Sequence, residues 1–331
     1  MILWEDVNAR VSGLGSRLLP PAAYARLAQT QNLQTLSRAL AELGALPNEV
    51  PGATAPALEL ALRRAAGAAL AVARRWLGSR AEVVAITLDA EDRRSLRALI
   101  RGAAAGVRAE ARLAGLVPTP SLPERLLREL ADRSRVPDQA ALLLAAGHPY
   151  GAAILAATTA AEPDLFSVEL AIARTFAERA ARGARRDGRF LREYVGHFID
   201  TENCRALLLS RRREVERVPA FLPGGHRLGE SELLVASRAT RPVDVARALG
   251  EAMGGGTVAA ILLRHADAPA ALEEALEAER GDRLLRESRL DPLGPAPLLL
   301  YCHRVRRQAV ALSDLVWRLD LNAPMTDGQA A

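Results

Sequence analysis

The chain has 331 residues, 44 Lys+Arg against 39 Asp+Glu and a formal net charge of +5, with half its residues apolar and a quarter charged. All 44 cations are arginine and lysine is absent, so a Schiff base, a P-loop lysine and a kinase lysine are excluded together. Alanine, leucine, arginine and glutamate dominate while aromatic residues are scarce; this is too apolar for disorder and rich in strong helix formers, and it predicts an all-α protein of about twenty short helices.

The first residues, Met1-Ile2-Leu3-Trp4-Glu5-Asp6, carry neither a basic segment nor an apolar run, so no secretory leader is expected and the cytosol is the expected compartment. Leu19-Pro20 opens an amphipathic stretch that ends at Gly44. Between Pro56 and Leu77 the residues Leu58, Leu62, Ala65, Ala69, Ala73 and Trp76 recur at three- and four-residue steps, which predicts one long amphipathic helix. Val83-Val84-Ala85-Ile86 is the best strand candidate and has no partner. Asp89 and Asp92 are spaced like a capping pair at a helix start, in a pattern Asp-x-Glu-Asp-x-Arg that ends at Arg94. Capping is the plain reading; the functional one sets these charges around an axis where units meet. Val117-Pro118-Thr119-Pro120 then discourages helix and marks a boundary.

Leu122-Pro123 opens a second stretch, ending at Gly147. Gln139 to Ala161 holds no formal charge and approaches the length that spans a bilayer, but Gly147-His148-Pro149-Tyr150-Gly151 divides it, so two buried helix ends joined by a turn are expected. Asp164 is the expected N-cap of a second long helix, with Leu165, Val168, Ile172 and Phe176 as its stripe and Arg182, Arg185 and Arg186 near its carboxyl end. Asp200, Glu202, Asn203 and Arg205 repeat the earlier charged pattern, and Arg217-Val218-Pro219 marks a second boundary. Leu222-Pro223 opens the third stretch. Gly254-Gly255-Gly256 has no preceding strand and no GxGxxG register, so it reads as a loop. A third long helix is expected to begin at Asp267, with Pro269 in its first turn, and Leu290-Asp291 follows it as the third member of the aliphatic-Asp series.

Other groups offer little chemistry. Cys204 and Cys302 lie far apart without CxxC spacing, and His148, His197, His226, His265 and His303 lack the i, i+4 spacing of a helical zinc site. Reduced, buried cysteines, surface histidines and no metal or cofactor are expected. Arg211-Arg212-Arg213 and the run Arg304 to Arg307 could meet phosphates. Carboxylates nearly balance the arginines and stacking platforms are few, so acidic proteins or anionic lipid are expected as partners before nucleic acid.

The three Leu-Pro pairs are 103 and 100 residues apart, Gly44 and Gly147 each lie 25 past their leucine and Gly254 lies 32 past. Ala152-Ala153-Ile154-Leu155 recurs as Ala259-Ala260-Ile261-Leu262, and Glu59-Leu60-Ala61-Leu62 as Glu169-Leu170-Ala171-Ile172. Several matches in one order predict three diverged helical repeats of about 100 residues, 1–117, 118–218 and 219–331.

Asp92-Arg93-Arg94-Ser95-Leu96-Arg97-Ala98-Leu99-Ile100-Arg101-Gly102, Tyr194 to Arg205, Phe221-Leu222-Pro223-Gly224-Gly225 and Asp291-Pro292-Leu293-Gly294, followed by Leu300-Tyr301, carry a resemblance. In order and spacing they resemble the C subunit of V-type and A-type rotary ATPases, the family to which the d subunit of the vacuolar enzyme belongs, over nearly the whole chain. The resemblance implies three helical subdomains in a pseudo-threefold funnel. It implies a peripheral place at the cytoplasmic face of a membrane, on the proteolipid (c/K/L) ring, receiving the D and F subunits of the central stalk, with the membrane stator as a further contact. Such a protein is non-catalytic and transmits torque for ATP-linked proton or sodium transport, without cofactor or metal. The candidate partner-binding residues on a funnel wall or rim are Asp89, Glu91, Arg94, Asp200, Glu202, Arg205, Asp291, Arg304 and Arg306. Where the family carries Lys-Glu-x-Glu after the third-repeat tyrosine, this chain has His303-Arg304-Val305-Arg306; a basic patch there calls for acidic residues on the partner. The competing readings are an arginine-rich helical-repeat adaptor for acidic proteins or nucleic acid, and a hydrolase with a carboxylate pair at Asp89 and Asp200.

Overall fold

The computed structural model describes residues 3–113, 116–159, 164–212 and 221–321. Among them there are sixteen α-helices, one 3₁₀ turn and no strand. The order begins with α1 (Glu5–Gly15), α2 (Pro21–Leu27) and α3 (Leu33–Glu42), followed by the long α4 (Ala55–Leu77), the 3₁₀ turn Gly78–Glu82 and the long α5 (Ala85–Ala104). After α6 (Ala109–Leu113) come three short helices, α7 (Glu124–Ala131), α8 (Val136–Ala145) and α9 (Gly151–Thr158), and two long ones, α10 (Leu165–Ala184) and α11 (Arg189–Arg212). The same succession closes the chain: α12 (Glu230–Ala236), α13 (Pro242–Ala252), α14 (Gly256–Arg264), then the long α15 (Pro269–Leu290) and α16 (Ala296–Asp320). Helices are thus fewer and longer than expected, because the apolar period of the six long ones runs on for 20 to 25 residues without a breaking turn.

Local chemistry sets the ends. Thr54 caps α4 by accepting from the Ala57 N–H, Pro56 sits in its first turn, and Gly78 with φ +52° stops it. Leu58, Leu62, Leu70, Ala73 and Leu77 form its buried stripe. Asp164 caps α10 as expected, accepting from Ser167 N–H. The third long helix starts two residues later than expected, at Pro269, with Ala268 as a cap that offers no side-chain acceptor. Val83 and Val84 are buried and lead into α5. Gly44, Gly147 and Gly254 all take positive φ, from +68° to +78°, and the residue after each donates its N–H to a carbonyl five positions back, at Leu40, Leu143 and Gly250. One helix-ending reversal is therefore used after α3, α8 and α13, at a conformation that disfavours a Cβ.

The long helices pack most closely as α4 on α16, α5 on α10 and α15 on α16, with α10 on α11 and, more lightly, α11 on α15. Short helices pack on the long ones. Leu27, Leu36 and Leu40 of α2 and α3 meet Leu58 and Leu62 of α4 and Leu312 and Val316 of α16. Helices α7 to α9 lie on α5 and α10, and α12 to α14 bury Val245, Leu249 and Leu262 with Leu207, Leu208, Leu272 and Leu276 of α11 and α15. The last helix packs on the first long one, so the chain closes on itself. The uncharged stretch predicted to be two helix ends is α8 and α9 with the Gly147 turn between them, and no helix of the described residues is long and apolar enough to cross a membrane.

Candidate functional site

Asp89 and Asp92 sit inside α5, and Asp200 and Asn203 inside α11, all buried. The capping reading is overturned: α5 opens after Val84, which offers no side-chain cap. Asp92 accepts from the hydroxyls of Thr119, at 2.5 Å, and Ser121, and lies 3.4 Å from His148 Nε2. Thr119 Oγ1 in turn accepts the Leu122 N–H at 2.9 Å. Asn203 accepts the Leu222 N–H at 2.9 Å and donates to the Leu222 carbonyl at 3.0 Å. Gln308 of α16 accepts the Leu19 N–H at 2.8 Å. Each Leu-Pro segment therefore hangs from a polar side chain of a long helix, and two signals that the sequence presents separately are halves of one contact.

Asp89 accepts from Arg179 Nε at 2.5 Å, whereas Asp200 accepts the backbone N–H groups of His226, Arg227 and Leu228 at 2.8–3.2 Å. Burial pushes both carboxyls above the usual range, against the pull of those donors. Each is engaged with its own structural partner, Asp89 with a side chain of α10 and Asp200 with the backbone of the loop before α12.

The other motif charges meet in one network. Glu91 on α5, only 5% exposed, accepts from Arg306 Nε of α16 at 2.6 Å and from Arg94 Nη1 at 3.1 Å. Glu202 on α11 accepts from Arg93 Nη2 of α5 at 2.8 Å and Arg205 Nη2 at 3.1 Å. Glu273 of α15 lies 3.8 Å from Arg205, and Glu277 accepts from Arg280 at 2.5 Å and lies 3.7 Å from His303 of α16. Arg93 stacks 4.5 Å over Phe176, and Arg280 4.2 Å over Phe198. Burial raises the Glu91, Glu202 and Glu277 carboxyls, but the arginines around them outweigh it and hold all three below the ordinary carboxylate range. Burial takes His303 down to about 4 despite Glu277, leaving the imidazole neutral at pH 7. Arg94 and Glu273 keep 57% and 64% of their side chains exposed, so the network opens to water there.

Five of the nine candidate residues, Glu91, Arg94, Glu202, Arg205 and Arg306, are thus brought together. Asp89 and Asp200 lie behind them as structural groups. Asp291 stands in the turn between α15 and α16, exposed, not inside a last helix. Arg304 is exposed and makes no ion pair among the described residues. The basic patch expected at 303–306 is largely compensated from within, by Glu91 and Glu277, and Arg306 needs no partner acid. Arg93, Glu277, Arg280 and His303 were missed, although Glu273, Glu277 and Arg280 at i, i+4, i+7 already share a face of α15.

Of the histidines expected at the surface, His226 is exposed, whereas His148 and His197 are drawn inward. His148 is buried beside Asp92, and His197 Nε2 lies 3.1 Å from Glu279. Cys204 and Cys302 are free and buried, and burial pushes the Cys302 thiol up to about 12. Arg211, Arg212 and Arg213 lie outside the described side chains. Among the described residues no group of three or more His, Cys, Asp and Glu is placed to hold a metal.

Residues 7–307 match the family model described as ATP synthase (C/AC39) subunit. No curated protein matches the chain.

Proposed function

The chain belongs to the ATP synthase (C/AC39) subunit family, and on that premise we propose that it is a non-catalytic coupling component of a rotary ATPase, joining the D–F central stalk to the proteolipid ring at the cytoplasmic face of the membrane and passing torque for proton or sodium transport. The observation that carries this reading is closure. Helix α16 returns to pack on α4 and is fixed to the first part of the chain by Arg306–Glu91 and Gln308–Leu19. A part that conveys torque needs stiffness and shape before reactive groups, and a closed set of packed helices with a paired ionic interior resists deformation.

Three Leu-Pro hangers and three equal glycine reversals support an arrangement of repeats 1–117, 118–218 and 219–331 as a pseudo-threefold funnel, with the charged network on its wall. Arg94 and Glu273, where the network opens to water, are then the residues nearest an inserted partner, and Asp291, in the α15–α16 turn, lies toward a rim. The test is reconstitution: the purified chain should bind both the D–F pair and the ring, and a complex assembled without it should hydrolyse ATP without pumping ions. A chain that binds neither partner would sink the proposal.

A further inference from the structure

Where the last long helix closes on the first, the packing leaves a cavity of about 160 Å³. Its walls come from the end of α1 and the residues that follow it, from the reversal after α3, and from α4 and α16. Ala65, Ala66 and Ala69 of α4 and Ala309 of α16 line it, and their short side chains leave the space between the two helices unfilled. Apart from three polar residues the rest of the wall is aliphatic or glycine. An apolar cavity of about 150 Å³ is enough to hold a benzene ring.

The three polar residues are Arg17, Tyr301 and Gln308, and no carboxylate lines the cavity. Tyr301 is only 5% exposed, yet its hydroxyl makes no hydrogen bond among the described residues. Burial pushes that hydroxyl up to about 12 against the pull of Arg17, so at pH 7 it keeps its proton and is free to donate. Arg17 is exposed and makes no ion pair among the described residues. Gln308 uses its amide oxygen to accept the Leu19 N–H at 2.8 Å, which leaves the amide nitrogen as a further donor. Donors therefore gather beside unfilled apolar space, on a wall that has no acid to answer them.

We infer that this cavity binds a small monocarboxylate with a compact apolar body, its carboxylate on Arg17 and the Tyr301 hydroxyl and its body against the alanines of α4 and α16. A guanidinium meets a carboxylate with two parallel donors, and the hydroxyl adds a third. The body makes the contacts that the alanines leave unmade. Cavity size limits it to a ring or a branched chain of about six carbons. Because α1 and α4 supply one side of the site and α16 the other, occupancy stabilises the closed chain, as any ligand stabilises the form that binds it. The site requires neither ring nor stalk, and stands or falls apart from the coupling reading.

Benzoate is the probe, titrated into the full chain by calorimetry and followed by thermal melting. One benzoate per chain should bind and raise the melting temperature. Acetate, which has the charge without the body, and benzyl alcohol, which has the body without the charge, should each bind about tenfold more weakly. Arg17→Gln and Tyr301→Phe should each weaken benzoate about tenfold and melt like the wild type in its absence, since neither side chain has a hydrogen-bond partner to lose. Ala69→Leu and, from the other helix, Ala309→Leu fill the space and should abolish binding, with circular dichroism reporting that each folds. No saturable binding to the wild type, or binding that survives Arg17→Gln or a folded filling variant, would overturn the inference. Acetate binding as tightly as benzoate would make Arg17 a surface anion site, and laurate binding more tightly would make the cavity part of a groove for lipid chains; either result overturns it as well.

Discussion

Asn203 and Leu222 exchange two hydrogen bonds across a buried interface, the amide oxygen accepting the leucine N–H and the amide nitrogen donating to the leucine carbonyl. An amide is required because one partner donates and the other accepts. At Asp92 both hydroxyl partners can donate, and a carboxylate serves. Asn203→Ala leaves two buried backbone groups without partners, each worth about 1–3 kcal/mol, so urea unfolding should show a loss of roughly 2–5 kcal/mol with an unchanged slope. Asn203→Asp should also lose stability, since a carboxylate would face a carbonyl. An Asn203→Ala protein as stable as the wild type would mean that the Leu222 segment does not hang from this side chain.

Closure of the chain rests on Arg306 and Glu91, 215 positions apart. Arg306→Ala strands a buried carboxylate with only the half-exposed Arg94 beside it, and breaking a buried pair from one side costs about 3–5 kcal/mol. Arg306→Met combined with Glu91→Leu removes both charges and should recover much of that loss. A double-mutant cycle in denaturant reads the difference. Additive losses would show that the two residues do not act as a pair.

Acid should loosen the protein before its ordinary carboxylates titrate. The folded chain holds His303 at about 4, against 6.5 when free. Between those values the unfolded chain binds more protons, so stability rises with pH across the interval and falls as pH drops from 6.5 toward 4. The full interval corresponds to at most roughly 3 kcal/mol. Glu91, Glu202 and Glu277, held below the usual range, add a further loss below their unfolded values near 4.5. His303→Gln should flatten the profile between pH 6.5 and 4 and keep the lower limb, as thermal melts in a buffer series would show. A wild-type profile already flat over that interval would contradict a buried neutral imidazole.

Helix periods, the Leu-Pro pairs and the terminating glycines were legible because each acts within a few residues of itself. The charged motif was legible as a motif and misread in role. A carboxylate three residues from another looks alike at a helix start and inside one, and only the absence of a polar residue at Val84 separates the two. The network escaped in part because Arg93 and Glu202 are 109 positions apart, a distance over which spacing carries no information. Asp291 misled for a related reason: the third hanger is Gln308, a neutral residue twelve positions inside α16, with no aspartate beside it to advertise the match.

Two glycines separate two kinds of constraint. Gly183 lies inside α10, and a Cβ there would stand 2.0 Å from the Glu82 carbonyl oxygen and 3.3 Å from Val83 Cα. Alanine gains about 1 kcal/mol of helix propensity, but the obstacle is backbone and no rotamer relieves it, so α10 must move off the α4–α5 turn. Overpacking of this kind costs about 1–3 kcal/mol and occasionally more, and here it exceeds the propensity gain. Gly147 is the contrary case: a Cβ would meet nothing within 4 Å, yet φ is +68°. Alanine there should cost about 1–2 kcal/mol through the left-handed backbone alone. Asparagine, which tolerates that conformation, should restore much of the loss at position 147 and none at 183. Melting of the four single variants decides between the two causes. A Gly183→Ala protein that melts with the wild type would show that α10 does not press on the turn as closely as its backbone contact implies.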